Sequence, residues 1–205
     1  DHMNTRQIEG ILLAAGESRR MGFPKALLRL NGETLLSHIA RAMLETVQRL
    51  IIVLGGHHDE IAAAVPADSR VSIVVNPDYK LGQLSSMKAG LRAVSERADA
   101  VIVHLVDHPT VLRETFRRVA AEYELSGKPI VVARSGGRGG HPVLFDRSVF
   151  DELLRAPLEV GARAVVKADP NRVNYFESHD PGVLLDLDTP ADLARSGLPI
   201  QVPRP

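Results

Sequence analysis

Five short apolar segments alternate with segments of helical periodicity along the first two thirds of the chain. The apolar segments are residues 10–14, 50–54, 71–75, 100–105 and 130–133, and the helical segments are 35–46, 58–64, 83–97 and 110–125. Because the apolar segments show no polar alternation, they are expected to be strands covered on both faces. The pattern predicts an α/β fold of three layers, with a mostly parallel central sheet and helices on both faces.

The remaining third is less regular. We expect a glycine-rich turn into a short strand near residues 135–145, then helices at 147–154 and 161–168, strands at 173–176 and 183–187, and a last helix at 189–195. The chain is expected to be one domain, residues 3–198. Residues 1–2 precede Met3 and are interpreted as a cloning remnant, and residues 199–205, with three prolines, are expected to fray.

The composition excludes several classes of protein. Twenty-five basic residues balance twenty-five acidic ones, which argues against nucleic acid or a membrane surface as a partner. Cysteine is absent, so disulfides and thiolate sites are excluded. No apolar run approaches the roughly 18 residues that span a bilayer. A cytoplasmic location is expected.

The first predicted strand runs into the sequence "AAGESRRMGFPK", which combines small residues with cations. Ligands of open parallel sheets bind outside the carboxyl ends of the strands, where this loop is expected to lie. Gly16 allows close approach of the backbone, and Arg20 and Lys25 carry groups that bind phosphate oxygens. The loop is not a dinucleotide fingerprint, because Ala14 stands where the first glycine is required. It is not a P-loop either, because Phe23 follows the second glycine.

Acidic residues at two further places could hold a metal ion. Asp107 follows the apolar segment 100–105, and a carboxylate there could bind Mg²⁺ or cap the next helix. Asp186 and Asp188 alternate along an extended segment, so both side chains are expected on one side. Asp188 also precedes Thr-Pro, which is typical of a helix start, and therefore both interpretations stay open.

Five motifs in order carry a resemblance to a known family. They are "LAAGESRRMGFPK", "GQLSSMKAGL", "VDHPTV", "GRGGHPVLF" and "LDLDTPADL". Together they resemble the MobA-like nucleotidyltransferases related to the molybdenum cofactor enzymes, which have a Rossmann-like fold. The Ala-Ala-Gly of the first motif is similar to the cytidylyltransferase branch, whereas the guanylyltransferase branch has Ala-Gly-Gly.

The resemblance implies transfer of CMP from CTP to the terminal phosphate of a molybdopterin-type cofactor, with release of pyrophosphate. Arg20, Lys25 and Asp107 are the implied catalytic residues. Mg²⁺, which Mn²⁺ could replace, is implied at Asp107 and Asp188, with Asp188 favoured over Asp186. The implied nucleotide-binding residues are Leu13, Ala14, Ala15, Gly16, Arg20, Lys25, Gln83, Ser85, Ser86 and Asp107.

The resemblance also implies where the acceptor binds. By resemblance His141 and Pro142 bind the acceptor, although His141 could instead brace its turn. His108 stands where many relatives have glutamine, and Gly139 where many have a basic residue. Two alternatives therefore remain: transfer to a sugar phosphate, alditol phosphate or phospholactate, or a non-catalytic protein that binds nucleotide and delivers cofactor. Transient contact with a molybdoenzyme or its chaperone would accompany either cofactor-related role.

Overall fold

A seven-stranded sheet forms the centre of the computed structural model, which describes residues 5–203. The strands of this sheet are β1 (Ile8–Ala14), β4 (Arg49–Leu54), β5 (Val71–Val75), β6 (Ala100–Leu105), β7 (Ile130–Ser135), β8 (Arg138–Asp146) and β9 (Val173–Glu177). Their order is β5-β4-β1-β6-β8-β7-β9. β8 is antiparallel to both of its neighbours, and every other pair of adjacent strands is parallel. The start of β8 therefore lies at the edge where β6 and β7 end.

Helices cover both faces of the sheet, which confirms the predicted three layers. The helices of the described residues are α1 (Leu35–Leu44), α2 (His58–Ala62), α3 (Gln83–Arg92), α4 (Arg113–Ser126), α5 (Phe150–Arg155), α6 (Ala162–Lys167) and α7 (Pro190–Ser196), of which α7 packs on a separate small cluster. One apolar layer is formed with α1 and α4, and the other with α3, α5 and α6. In the described range 5–203, no helix is long and apolar enough to span a membrane.

A small antiparallel sheet lies beside the main one. Its strands, in spatial order, are β10 (Ile200–Gln201), β2 (Arg29–Leu30) and β3 (Glu33–Thr34). The expectation that the chain frays from residue 199 is wrong for β10, because β2 offers it a free edge and Ile200 packs on an apolar cluster. The predicted remnant at residues 1–2 lies outside the described residues, as do residues 204 and 205.

Two predicted elements differ most from the structure. The segment 183–187 is not a strand: a 3₁₀ turn spans Pro181–Val183, and an irregular stretch follows it. The turn forms because the Asp180 side chain accepts a hydrogen bond from the Gly182 N–H, 2.9 Å away. The predicted helix 83–97 ends at Arg92, five residues early.

Candidate active site

The loop after β1 folds back on itself and buries a lysine. The Ser18 hydroxyl accepts a 3.0 Å hydrogen bond from the backbone N–H of Lys25. The N–H of Gly22 donates to the carbonyl of Ser18 at 3.1 Å. This compact turn leads into a 3₁₀ turn over Lys25–Leu27, and Lys25 is only 8% exposed. The side chain of Lys25 is thereby held in a fixed place at the carboxyl edge of the sheet.

Three carboxylates surround this lysine. Asp107, Asp186 and Asp188 each offer an oxygen that lies within 4.8 Å of the other two. The Lys25 ammonium is 2.8 Å from Oδ1 of Asp107 and 2.8 Å from Oδ1 of Asp188, and the Arg20 guanidinium pairs with the other oxygen of Asp188. Like charges this close repel one another, and the two cations offset part of that repulsion.

The backbone on both sides of the site is held by hydrogen bonds. The Leu187 N–H donates to the Asp107 carbonyl at 2.9 Å, which joins the two acidic segments directly. The Asp188 N–H donates to the Asp192 carboxylate, also at 2.9 Å. Asp192 belongs to a capping box with Thr189 at the start of α7. The carboxylates are thus placed by the backbone, before any ligand contributes.

The helix-cap interpretation of the two aspartates is wrong. The N-cap of α7 is Thr189, whose hydroxyl accepts the N–H of Asp192. The N-cap of α4 is Leu112, and its N–H is bound by the Asp180 carboxylate at 2.9 Å. Since other residues cap both helices, Asp107 and Asp188 are available for another role.

The donor set fits a hard divalent cation. Mg²⁺ and Mn²⁺ prefer oxygen ligands, and three convergent carboxylates supply them. Desolvation of the carboxyl group, and in second place the neighbouring Asp107 carboxylate, raise the pKa of Asp186. A bound divalent cation would offset the part of this rise that comes from the Asp107 charge.

A cleft of about 340 Å³ extends from this charged group along the carboxyl edge. Nine of the ten predicted nucleotide-binding residues line it, namely Leu13, Ala14, Ala15, Gly16, Arg20, Lys25, Gln83, Ser86 and Asp107. Ser85 does not. Its buried hydroxyl donates to the Gly82 carbonyl at 2.6 Å and accepts from the Asn76 amide at 2.9 Å. Ser85 therefore braces the start of α3.

Sequence reasoning missed one wall of the cleft, which Tyr79 forms. The hydroxyl of Tyr79 donates to Glu17 at 2.6 Å, and hydrogen bonds from Arg19 and Tyr79 lower the pKa of Glu17 to about 2. A Cβ on Gly55 would lie 2.5 Å from the Tyr79 Cβ and 2.6 Å from the Ala15 carbonyl oxygen. The Gly-Gly pair directly after β4 was the signal that another part of the chain approaches there.

Three histidine rings lie together near the carboxylates. The ring centroid of His108 is 5.4 Å from that of His141 and 6.2 Å from that of His104. Burial, with a smaller contribution from His108, lowers the pKa of His141 to about 4. His141 precedes Pro142 through a cis peptide bond, in the middle of β8. The predicted acceptor residues are thus brought to the same sheet edge as Asp107, but they do not line the cleft described above.

Comparison with known proteins identifies the family of this chain. Residues 10–173 match the family described as the MobA-like NTP transferase domain. The chain is 30% identical to the molybdenum cofactor cytidylyltransferase of Escherichia coli (strain K12), over 90% of this chain and 93% of that protein. It is also 30% identical to the nicotine blue oxidoreductase of Paenarthrobacter nicotinovorans, over 92% and 95%.

A solved structure extends the comparison to the fold. The crystal structure of Rv0371C complexed with manganese, from Mycobacterium tuberculosis H37Rv, superposes with a TM-score of 0.77 at 31% identity. The match covers 94% of this chain and 98% of that one. Sequence motifs, sheet topology and these similarities agree, and the chain belongs to the MobA-like NTP transferase family.

Proposed function

We propose that this protein transfers CMP from CTP to the terminal phosphate of a molybdopterin-type cofactor and releases pyrophosphate. The observation that carries the proposal is the position of the Lys25 ammonium, 2.8 Å from a carboxylate oxygen of Asp107 and from one of Asp188, within the cleft. A buried cation beside convergent carboxylates is suited to a triphosphate that carries a divalent cation. The 30% identity to a cytidylyltransferase supports the same reaction.

The cleft has a charged part and an uncharged part, which sets the direction of the nucleotide. The triphosphate lies against Arg20 and Lys25. The base lies in the uncharged part beside Ala15, Ser86 and Tyr79, where backbone groups can hydrogen-bond its edge. Because Ala15 adds a methyl group that glycine lacks, we infer a preference for the smaller pyrimidine base.

The protein's task in this reaction is positioning and charge neutralisation. An oxygen of the acceptor's terminal phosphate attacks the α-phosphorus of CTP in line and forms a new phosphorus–oxygen bond. The bond to the oxygen that bridges to the β-phosphate breaks, and pyrophosphate leaves. Lys25 and Arg20 orient the triphosphate and stabilise the charge that develops on the leaving group. No covalent intermediate with the protein is required, in agreement with the absence of cysteine.

Asp107 and Asp188, with Asp186 beside them, would hold Mg²⁺ or Mn²⁺, which neutralises phosphate charge when bound. A relative of 31% identity was crystallised with manganese, which supports a divalent cation at this place. The acceptor lies on the His141 and Pro142 side of the same edge. We include a cytoplasmic location and transient contact with a molybdoenzyme or its chaperone in the proposal.

The similarities by themselves do not choose the reaction, because a relative at the same identity is named an oxidoreductase. Pyrophosphate release is therefore measured with CTP, GTP, ATP and UTP, each with and without molybdopterin, at saturating Mg²⁺. We expect release that requires both CTP and molybdopterin. Release with a sugar phosphate, alditol phosphate or phospholactate in place of molybdopterin would instead identify another acceptor. Binding of CTP without release would identify a delivery protein.

A further inference from the structure

His104 is a polar side chain in an apolar part of the sheet. It is fully buried in β6, three residues before Asp107, among strand residues that are otherwise apolar. Its Nε2 lies 2.8 Å from the backbone carbonyl oxygen of His108. Since a carbonyl only accepts hydrogen bonds, Nε2 carries the proton, and the ring is the neutral Nε2–H tautomer. Burial holds the pKa of this ring well below its ordinary value.

The rest of the ring makes no polar contact. Within residues 5–203, the buried Nδ1 of His104 has no hydrogen-bond partner. The ring packs edge-to-face on Phe116, with 5.0 Å between the centroids. A leucine would fill such a place without leaving a buried nitrogen unsatisfied, which destabilises a fold. The one favourable polar contact that distinguishes histidine here is the bond to the turn that carries Asp107.

That bond is one of several that hold the turn, which the His108 N–H also closes by donating to the Leu105 carbonyl at 3.1 Å. The carbonyl of Asp107 accepts from the Leu187 N–H, and the carbonyl of the next residue, His108, accepts from His104. The first bond ties the turn to the segment with Asp186 and Asp188, and the second ties it to the interior of the sheet. Two successive peptide groups are thus fixed, and with them the point of the backbone from which the Asp107 side chain extends.

We propose that His104 is a positioning residue that orients Asp107 toward Asp186 and Asp188 and thereby sets the affinity of this group for a divalent cation. The inference rests on the metal site of the proposed function. Residues that orient a metal ligand without contacting the metal typically contribute about tenfold to a hundredfold to metal affinity. His104 acts here through the peptide group of the turn.

The test compares two amides that differ by one methylene. His104→Gln can place an N–H near the position of Nε2, whereas the shorter side chain of His104→Asn cannot reach the His108 carbonyl. Phe116→Leu is the matched control, because it weakens the same part of the core and leaves the hydrogen bond intact. Mn²⁺ affinity is measured by electron paramagnetic resonance, with circular dichroism and urea unfolding to monitor the fold.

We expect His104→Asn to weaken Mn²⁺ binding by about tenfold. The Mn²⁺ affinity of His104→Gln should stay within about threefold of that of wild type. Phe116→Leu should lose stability without losing Mn²⁺ affinity. Unchanged affinity in His104→Asn, or an equal loss in Phe116→Leu, would overturn the inference while the metal site itself stands. If wild-type protein bound no Mn²⁺, the metal site and the inference would both fail.

A second measurement needs no variant and covers the case in which His104→Asn does not fold. Nitrogen-15 NMR of the histidine rings reports which nitrogen carries the proton. We expect His104 to be protonated at Nε2 and its Nε2 proton to exchange more slowly when Mg²⁺ is added. Protonation at Nδ1, or exchange that is indifferent to Mg²⁺, would overturn the inference.

Discussion

The backbone N–H of Leu187 donates a 2.9 Å hydrogen bond to the backbone carbonyl of Asp107. These residues are eighty positions apart in the chain, and each lies next to or within an acidic motif. One bond between peptide groups therefore sets the register of two segments that would otherwise be free to slide. The convergence of the three carboxylates is a property of the backbone, and substitutions that remove a carboxylate should leave it in place.

Removing the buried lysine should abolish most of the activity. Lys25→Ala takes away the cation between Asp107 and Asp188 and the triphosphate contact that we assign to it. We expect turnover to fall by about a hundredfold or more, the scale of one lost charge-stabilising donor. Pyrophosphate release is the measurement, and Lys167→Ala, at the end of α6, is the control. Turnover near wild type in Lys25→Ala would contradict the role assigned to it.

The aspartates should differ from one another. Asp107→Asn and Asp188→Asn should abolish turnover and weaken Mn²⁺ binding, because both carboxylates contact Lys25 and face the cleft. Asp186 is exposed and does not line the cleft, so Asp186→Asn should cost less. Calorimetric titration with Mn²⁺ measures metal affinity, and pyrophosphate release measures turnover. Asp151→Asn, on α5, is the control for both. If Asp186→Asn lost more Mn²⁺ affinity and turnover than Asp188→Asn, Asp186 would be the second metal ligand in place of Asp188.

Base selection should depend on the first loop. With Ala15 lining the uncharged part of the cleft, kcat/KM should be higher for CTP than for GTP. Ala15→Gly removes the methyl group and should reduce the ratio of kcat/KM for CTP to kcat/KM for GTP. The measurement is kcat/KM for both nucleotides in both proteins, with CTP turnover of Ala15→Gly as the internal control. Equal efficiency of wild-type protein with CTP and GTP would exclude this explanation of base choice.

Stability should fall as the histidine cluster is acidified. Burial lowers the pKa of His141 from 6.5 to about 4. Between these pH values the unfolded chain therefore binds a proton at His141 that the folded chain does not bind. The contribution of neutral His141 is therefore complete above pH 6.5 and is lost progressively between pH 6.5 and about 4. The free energy of unfolding, measured with urea at several pH values in this window, should fall less steeply with decreasing pH for His141→Gln than for wild type. The same pH dependence in wild type and His141→Gln would contradict this role of His141.

Much of this architecture could be predicted from the sequence, because buried parallel strands are continuous apolar runs and the charged motifs follow them directly. The role of Ser85 in bracing the start of α3 could not be predicted, since only the folded chain turns its hydroxyl toward Asn76 and the Gly82 carbonyl. The segment 183–187 was mistaken for a strand because its apolar residues pack on the core without strand pairing. Contacts such as that of Tyr79 with Glu17 join residues sixty-two positions apart, and no local pattern records them.

The pairing of β10 with β2 has a consequence for the order of folding. The apolar cluster beneath the first loop contains Met21 and Leu28, and Leu193 and Ile200 pack against it. β1, β4 and β5 can pair while the chain is still being synthesised, since all three lie within its first 75 residues. The loop gains its full apolar support only after residue 200 has left the ribosome. The sheet is thus begun early, whereas the support of the loop is completed late.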